Sequence, residues 1–244
     1  MNNETDVAII GGGLAGLTLA VQLRESLGDS AGIMVLERSR HPVPEAAYKV
    51  GESTVEIGTH YLADVIGMRD HLESEHLPKF GLRLFFGSER NQTDVGNLDE
   101  IGASTFLPVR SYQIDRGILE NNLGAAAAAA GIDFRHGSRV TKVDVDKHKG
   151  SHNATFVDDS GEHSVKTRWI VDAGSRAGPL RANLNIKELS AHENHAVWFR
   201  LGVPLKIDEW SSDSAWQDRC TAGNRWLSTN HFMGPGYWVW FIPL

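Results

Sequence analysis

The sequence predicts an α/β fold, and three observations carry that prediction. A short apolar run, Asp6 to Ile10, ends on Gly11-Gly12-Gly13. A helical apolar pattern follows at once from Leu14 to Leu27, with Leu17, Ala20 and Val21 on one face. A second apolar run, Gly32 to Leu36, closes on Glu37. Strand, tight turn, helix and strand in that order begin a parallel sheet with a covering helix.

The later elements follow from local pattern. His41 to Ser53 holds Pro42 and Pro44 and reads as a loop. Thr54 to Ile66 reads as a helix stopped by Gly67, and Met68 to His76 as a second one ended before Pro78. Gly81 to Gly87 is a Leu- and Phe-rich strand, Asn91 to Ser104 a polar loop, and Thr105 to Tyr112 a further strand. Asp115 to Gly131 is a helix: Ala125 to Ala130 are the best helix formers, and Gly131 ends the run. Strands are expected at Arg139 to Val145, Ala154 to Val157 and Ser164 to Ala173, with Asp158-Asp159-Ser160-Gly161 as a hairpin turn. Further strands are expected at Asn194 to Val203, Arg225 to Phe232 and Tyr237 to Leu244. Six of the seven tryptophans lie at or beyond Trp198, so a second, aromatic-rich module is expected to begin near residue 190. The apolar ending Phe241-Ile242-Pro243-Leu244 suggests a fragment cut inside that module.

Composition excludes several classes. The 244 residues are 41% apolar and 23% charged, which fits a globular chain able to bury a core and not a disordered one. With 24 basic against 31 acidic residues the net charge is −7, which argues against nucleic acid as the main partner. No apolar run is long enough to span a membrane, and the start Met1 to Asp6 lacks the positive region of a secretory signal. The single cysteine, Cys220, makes no intrachain disulfide and fits a reducing cytoplasm.

Gly11-Gly12-Gly13-Leu14-Ala15-Gly16 fits G-x-G-x-x-G between a strand and a helix, the context in which the pattern points to a dinucleotide. Gly11 permits the tight turn, Gly13 lets a pyrophosphate approach the backbone, and Gly16 lets helix and strand pack closely. Free N–H groups at the helix start attract the phosphates. Glu37, about twenty residues beyond Gly16, stands where an acid takes the ribose hydroxyls. NAD and FAD are not separated by these features.

Three further segments bear on that choice: Lys49-Val50-Gly51-Glu52-Ser53-Thr54, Tyr112-Gln113-Ile114-Asp115-Arg116, and Trp238-Val239-Trp240-Phe241-Ile242-Pro243, which fits W-x-W-x-I-P. Together with the N-terminal glycines they resemble the flavin-dependent (tryptophan) halogenases over essentially the whole chain. The wider relatives are flavin monooxygenases of the p-hydroxybenzoate hydroxylase fold. The resemblance implies a Rossmann-like FAD-binding domain of the glutathione-reductase type over residues 1–190, with an inserted β region at about 80–112. Residues 191–244 would begin a mixed-sheet substrate domain.

The chemistry implied by this resemblance is halogenation. FAD, reduced by a separate flavin reductase, and O2 would oxidise a halide, chloride or bromide, to hypohalous acid. A lysine would pass this oxidant to an aromatic, indole-like small molecule. By its place before the strand Leu82-Arg83-Leu84-Phe85, Lys79 matches that lysine, with Lys49 as the runner-up. Gly11, Gly13, Leu14, Ala15, Gly16, Glu37 and Arg38 match the ADP-binding part. Lys49, Gly51, Glu52 and Ser53 match the loop that reaches the flavin. Gln113 and Arg116 match a pair near the phosphates, and Val140, Asp172 and Ala173 complete the cofactor set. Trp238, Trp240, Ile242 and Pro243 would keep the substrate away from the flavin. The family continues beyond this motif, so part of its flavin and substrate site is expected to be missing. Two alternatives stay open: a related monooxygenase that does not halogenate, and an FAD-binding fragment without turnover.

Other patterns favour plain structural readings. His192-Glu193-Asn194-His195 lacks the ligand set of a metal site, so no metal is expected. Ser53 and Ser175 are not in a G-x-S-x-G elbow. Trp198, Trp210, Trp216 and Trp226 fit a core better than a pocket. Cys220, with no nearby His or Lys in sequence, is expected to be inert.

Overall fold

A computed structural model describes residues 4–46, 48–87, 94–146, 150–220 and 223–244. The polar start Met1–Asn3 and the beginning of the expected loop at Asn91 fall outside these residues. In chain order the described residues form β1 (Glu4–Ile10), α1 (Leu14–Leu27), β2 (Ile33–Glu37), β3 (Glu52–Ser53), α2 (Glu56–His60), α3 (Arg69–Glu75), β4 (Leu77–Pro78), β5 (Leu82–Phe86) and β6 (Asp99–Gly102). They continue with β7 (Tyr112–Ile114), α4 (Arg116–Ala129), β8 (Asp133–His136), β9 (Arg139–Asp144), β10 (His152–Asp158), β11 (Gly161–Asp172), α5 (Pro179–Leu184), α6 (Ser214–Asp218), β12 (Thr229–Gly234) and β13 (Tyr237–Phe241). None of the described helices is long and apolar enough to cross a membrane.

Two compact units emerge, each built from two stretches of chain: Met1–Tyr48 with Gly117–Val197, and Lys49–Arg116 with Trp198–Leu244. The chain passes between them after Tyr48, after Arg116 and after Val197.

The first unit holds a six-stranded sheet in the order β8-β2-β1-β11-β10-β9. β1, β2, β8 and β11 run parallel, and β9 and β10 add an antiparallel edge. β1 and β2 are buried along most of their length (Val7 to Ile10, Ile33 to Leu36), as parallel strands covered on both faces must be. α1 covers the sheet with Leu17 and Ala20, and α4 buries Leu119, Leu123 and Ala127 on its apolar stripe. Met34, Leu36, Ala154, Phe156 and Val165 form a packed cluster with Val140 against it. The hairpin turn lies where expected, with Asp158 opposite Gly161.

The second unit holds a four-stranded sheet, β13-β12-β5-β6, and a three-stranded one, β3-β7-β4. Phe85, Val95, Ile207 and Trp216 pack behind the first of these, with Trp226 and Phe232 against them. A charged network lies in this core. Glu100 pairs with both Arg83 and Arg225, and all three are almost fully buried. The Arg225 guanidinium also lies over the Trp216 ring at 3.9 Å, and its Nη2 donates to the Trp216 carbonyl at 2.6 Å. Burial works against the Glu100 carboxylate, yet Arg225 and Arg83 hold it below the usual carboxylate range. Of the four tryptophans expected in a core, Trp216 is fully buried and Trp226 partly so, while Trp198 and Trp210 are exposed.

Several elements differ from expectation. The helix predicted over Thr54 to Ile66 is α-helical only through His60 and continues as one π-helical turn, Tyr61–Val65. The strand predicted at Thr105 to Tyr112 is confined to Tyr112–Ile114. Part of the expected loop before it, Asp99–Gly102, is a strand because β5 offers a ladder to pair with. Asn194 to Val203 forms no strand: it has no ladder partner among the described residues, and Val197 is 92% exposed.

Candidate functional site

The glycine turn of the first unit is shaped by contact distances rather than by side chains. Gly11 has φ +103°, and its N–H donates to the Leu36 carbonyl at 2.8 Å. A Cβ there would lie 2.7 Å from the Ala173 oxygen. A Cβ on Gly16 would lie 1.8 Å from the Gly11 oxygen. These two positions therefore require glycine so that α1 can start against the strand ends. Gly13 is the N-cap of α1 and has no side chain of its own to cap the helix, whose start carries the positive end of the backbone dipole. Leu14 is half-buried and Ala15 exposed beside it.

Glu37 ends β2 and binds the turn from below. Its Oε2 accepts from the Gly12 N–H and its Oε1 from the Ser39 N–H, both at 2.7 Å. An ionised carboxylate has acceptor capacity beyond two bonds, so the placement is compatible with ribose hydroxyls. Arg38 is exposed next to it. Asp172 ends β11, where its carboxylate takes the N–H groups of Gly174 at 2.9 Å and Leu180 at 3.0 Å. Ala173 donates its N–H to the Ile10 carbonyl at 2.8 Å, which ties this turn to the glycine turn. Val140 is half-buried in the apolar cluster of the sheet.

One acid was not legible in sequence. Glu120 on α4 is fully buried, and its Oε1 accepts from the Leu14 N–H at 3.3 Å, at the start of α1. It lies more than a hundred residues from the glycine motif, within an otherwise ordinary helix.

In the second unit, Lys79 follows β4 and is 7% exposed. Its own N–H donates to the Ser111 carbonyl at 2.8 Å, and its Nζ donates to the Thr54 carbonyl at 2.7 Å. Burial pushes the ammonium pKa down, with Glu56 opposing. Thr54 is itself held by Tyr112: its N–H and Oγ1 both donate to the Tyr112 carbonyl, at 3.0 and 2.9 Å.

The segment carrying Lys49 to Ser53 is anchored at several points. The Lys49 carbonyl accepts from Arg200 Nη2 at 3.1 Å, and Arg200 pairs with Asp115. Glu52 pairs with Arg116, and the Ser53 hydroxyl bonds with that of Thr229. A Cβ on Gly51 would meet the Leu244 side chain within 2.4 Å. Gln113 is fully buried, and its Nε2 donates to the Leu227 carbonyl and the Thr229 hydroxyl, both at 3.1 Å. Its amide thus braces β12. Trp238 and Trp240 project from one face of β13, half exposed, with ring centroids 6.4 Å apart, and Ile242 and Pro243 follow half-buried.

His76 is a buried titratable group beside this segment. Its Nδ1 accepts from the Asp115 N–H at 3.3 Å, and the His71 ring stands edge-on at 5.1 Å. Burial, then the neighbouring His71, lowers its pKa from 6.5 to about 4. The folded ring therefore stays neutral where the unfolded one binds a proton, and stability falls as pH drops through that window. We expect about 2 kcal/mol to be lost between pH 7 and pH 4 through this group. Urea midpoints across that range check it: His76→Gln should flatten the wild-type slope, and an unchanged slope would count against it.

Comparison with known proteins bears on the cofactor. Residues 4–237 match the family described as FAD binding domain. The chain belongs to that family. Among FAD-binding-domain proteins it is similar to the flavin-dependent halogenase chlA of Dictyostelium discoideum, at 31% identity over 99% of this chain and 43% of that protein. It is also similar to the flavin-dependent halogenase malA of Malbranchea aurantiaca, at 26% identity over 99% of this chain and 35% of that one. The chain thus spans less than half the length of these curated relatives. The crystal structure of halogenase PltM in complex with phloroglucinol and FAD superposes with a TM-score of 0.70, at 18% identity, over 98% of this chain and 48% of that one. The glycine turn fits the FAD assignment, since both backbone approaches that it needs are closed to any side chain.

Proposed function

We propose that this chain is the FAD-binding part of a flavin-dependent halogenase acting on a small aromatic molecule, with Lys79 carrying the oxidant. The observation that supports it most directly is the buried Lys79 ammonium, held by the Thr54 carbonyl in the unit that also bears the W-x-W-x-I-P strand. Bound reduced FAD, supplied by a separate reductase, would provide with O2 the oxidising equivalents that convert chloride or bromide to hypohalous acid. The chain's own residues have separate tasks. Gly11 and Gly16 let α1 start against the strand ends, Gly13 would leave the α1 start open to the pyrophosphate, and Glu37, which holds the Gly12 N–H, would take the ribose hydroxyls. Arg116 and Arg200 fix the segment Lys49–Ser53 through Glu52, Asp115 and the Lys49 carbonyl. Lys79 has three N–H donors, of which Thr54 takes one. Desolvation brings it closer to the neutral amine, so it can hold hypohalous acid by hydrogen bond or as a haloamine. Trp238 and Trp240 would separate the aromatic substrate from the cofactor.

Two measurements test the reading. FAD fluorescence titration should show saturable micromolar binding that AMP displaces. With a flavin reductase added, an aromatic acceptor should gain mass only when chloride or bromide is present. A hydroxylated product formed without halide would replace the proposal with a monooxygenase, and bound FAD without any product would leave a cofactor-binding fragment.

A further inference from the structure

Lys79 is tied at both ends to the three-stranded sheet of the second unit. That sheet has the order β3-β7-β4, with β7 in the middle. Lys79 follows β4, and its backbone N–H bonds to the Ser111 carbonyl, just before β7. Thr54 follows β3, and its carbonyl takes the Lys79 ammonium. The side chain therefore reaches across β7 from one flanking strand to the other.

Thr54 is held by more than its backbone. Its N–H donates to the Tyr112 carbonyl at 3.0 Å, and the Tyr112 N–H donates to its Oγ1 at 2.7 Å. That Oγ1 also stands 2.9 Å from the Tyr112 carbonyl oxygen and 2.9 Å from Thr59 Oγ1. A single arrangement of hydrogens satisfies every contact: Thr59 donates to Thr54 Oγ1, and Thr54 donates to the Tyr112 carbonyl. Both acceptor oxygens then use their full capacity. Tyr112 and Thr59 are buried, which shields these bonds from water. A lysine stem is flexible along its whole length, so one hydrogen bond places the ammonium only if the acceptor itself cannot move.

We infer that Thr54 is the positioning residue of Lys79: its hydroxyl, locked between Tyr112 and Thr59, fixes the carbonyl that sets where the ammonium stands. Valine at this position would keep the shape and lose every bond made through Oγ1, whereas serine would keep them all. The inference rests on the reading of Lys79 as oxidant carrier only where product is measured.

The test is hydrogen exchange of the lysine ammonium groups, followed by NMR on the FAD-loaded chain with isotope-labelled lysine. The Lys79 signal is the one lost in Lys79→Met. Burial and the Thr54 bond should slow its exchange well below that of exposed lysines. Thr54→Val should speed that exchange at least about tenfold, and Thr54→Ser should leave it within about twofold. Thr59→Val removes a single bond behind Thr54 and should give an increase of about threefold, which decides the matter if Thr54→Val does not fold. Exchange of Lys79 as fast as that of exposed lysines in the wild type, or unchanged in both valine variants, would overturn the inference. With reductase, halide and an aromatic acceptor added, Thr54→Val should form at least about tenfold less halogenated product per FAD reoxidised. Normal product from Thr54→Val where Lys79→Met makes none would also overturn it. Normal product from Lys79→Met, beside the expected exchange pattern, would uphold the positioning and sink the carrier reading instead.

Discussion

Lys79→Met is expected to lower halogenated product by at least about a hundredfold while FAD binding and reoxidation stay within about twofold. Methionine has similar length and fills the same buried space, so the change isolates the nitrogen. The Thr54 carbonyl loses its donor, which costs on the order of 1 kcal/mol of stability and leaves the chain folded. Lys79→Arg separates the two modes: guanidinium still donates hydrogen bonds but keeps its proton at any working pH, so activity should not return if the oxidant is carried as a haloamine. That contrast matters, because a merely structural cation would be replaced by arginine at little cost. Halogenated product within about threefold of wild type from Lys79→Met would remove Lys79 from the chemistry. The neighbouring Glu56 opposes the loss of the proton, so Glu56→Gln should favour the amine further.

How far the sequence foretold this arrangement depends on the range of the interactions. β1, α1 and β2 were legible because apolar runs, a glycine turn and a helical stripe all lie within about thirty residues. α4 was legible because alanine favours a helix regardless of context. Asn194 to Val203, with its Trp and Phe, suggested a strand, but such residues show only a willingness to pair. Among the described residues it meets no ladder partner, and Val197, Phe199, Leu201 and Val203 are exposed. β8 shows the converse: Asp133–His136 is short and largely polar, yet it joins the sheet because β2 offers an open edge. The site follows the same division. The glycines and Glu37 are proposed from local motif, and Lys79 and the tryptophans from likeness to a family. Glu120 under the start of α1, the Thr54 carbonyl that holds Lys79, and the His76–Asp115–Arg200 chain join residues distant in sequence. No spacing rule exposes such partners. Gln113 likewise donates to the Leu227 carbonyl and the Thr229 hydroxyl, partners more than a hundred residues away.

Gly16→Ala is the other substitution from which a large effect is expected. The added Cβ would lie 1.8 Å from the Gly11 oxygen, a backbone atom that no rotamer change can move aside. Relief requires α1 to shift away from the end of β1. Gly11 is itself fixed, by its bond to Leu36 and by the Ala173 carbonyl that crowds its other side. The helix face that must move carries the buried Leu17 and Ala20, so the shift also opens the core. We expect a loss of about 3 kcal/mol or more in urea unfolding. FAD affinity should fall at least about a hundredfold, because the amides at the start of α1 leave the position that a pyrophosphate needs. Gly28→Ala is the proper comparison. Gly28 also has positive φ, +76°, but a Cβ there would meet nothing within 4 Å. Its cost should stay near 1 kcal/mol, with FAD affinity unchanged. If Gly16→Ala behaved like Gly28→Ala in both measurements, the close approach of helix and strand would not be what shapes the cofactor turn. Because strain and affinity are read separately, loss of stability alone would mark Gly16 as a packing residue, and only the joint loss places it under the pyrophosphate.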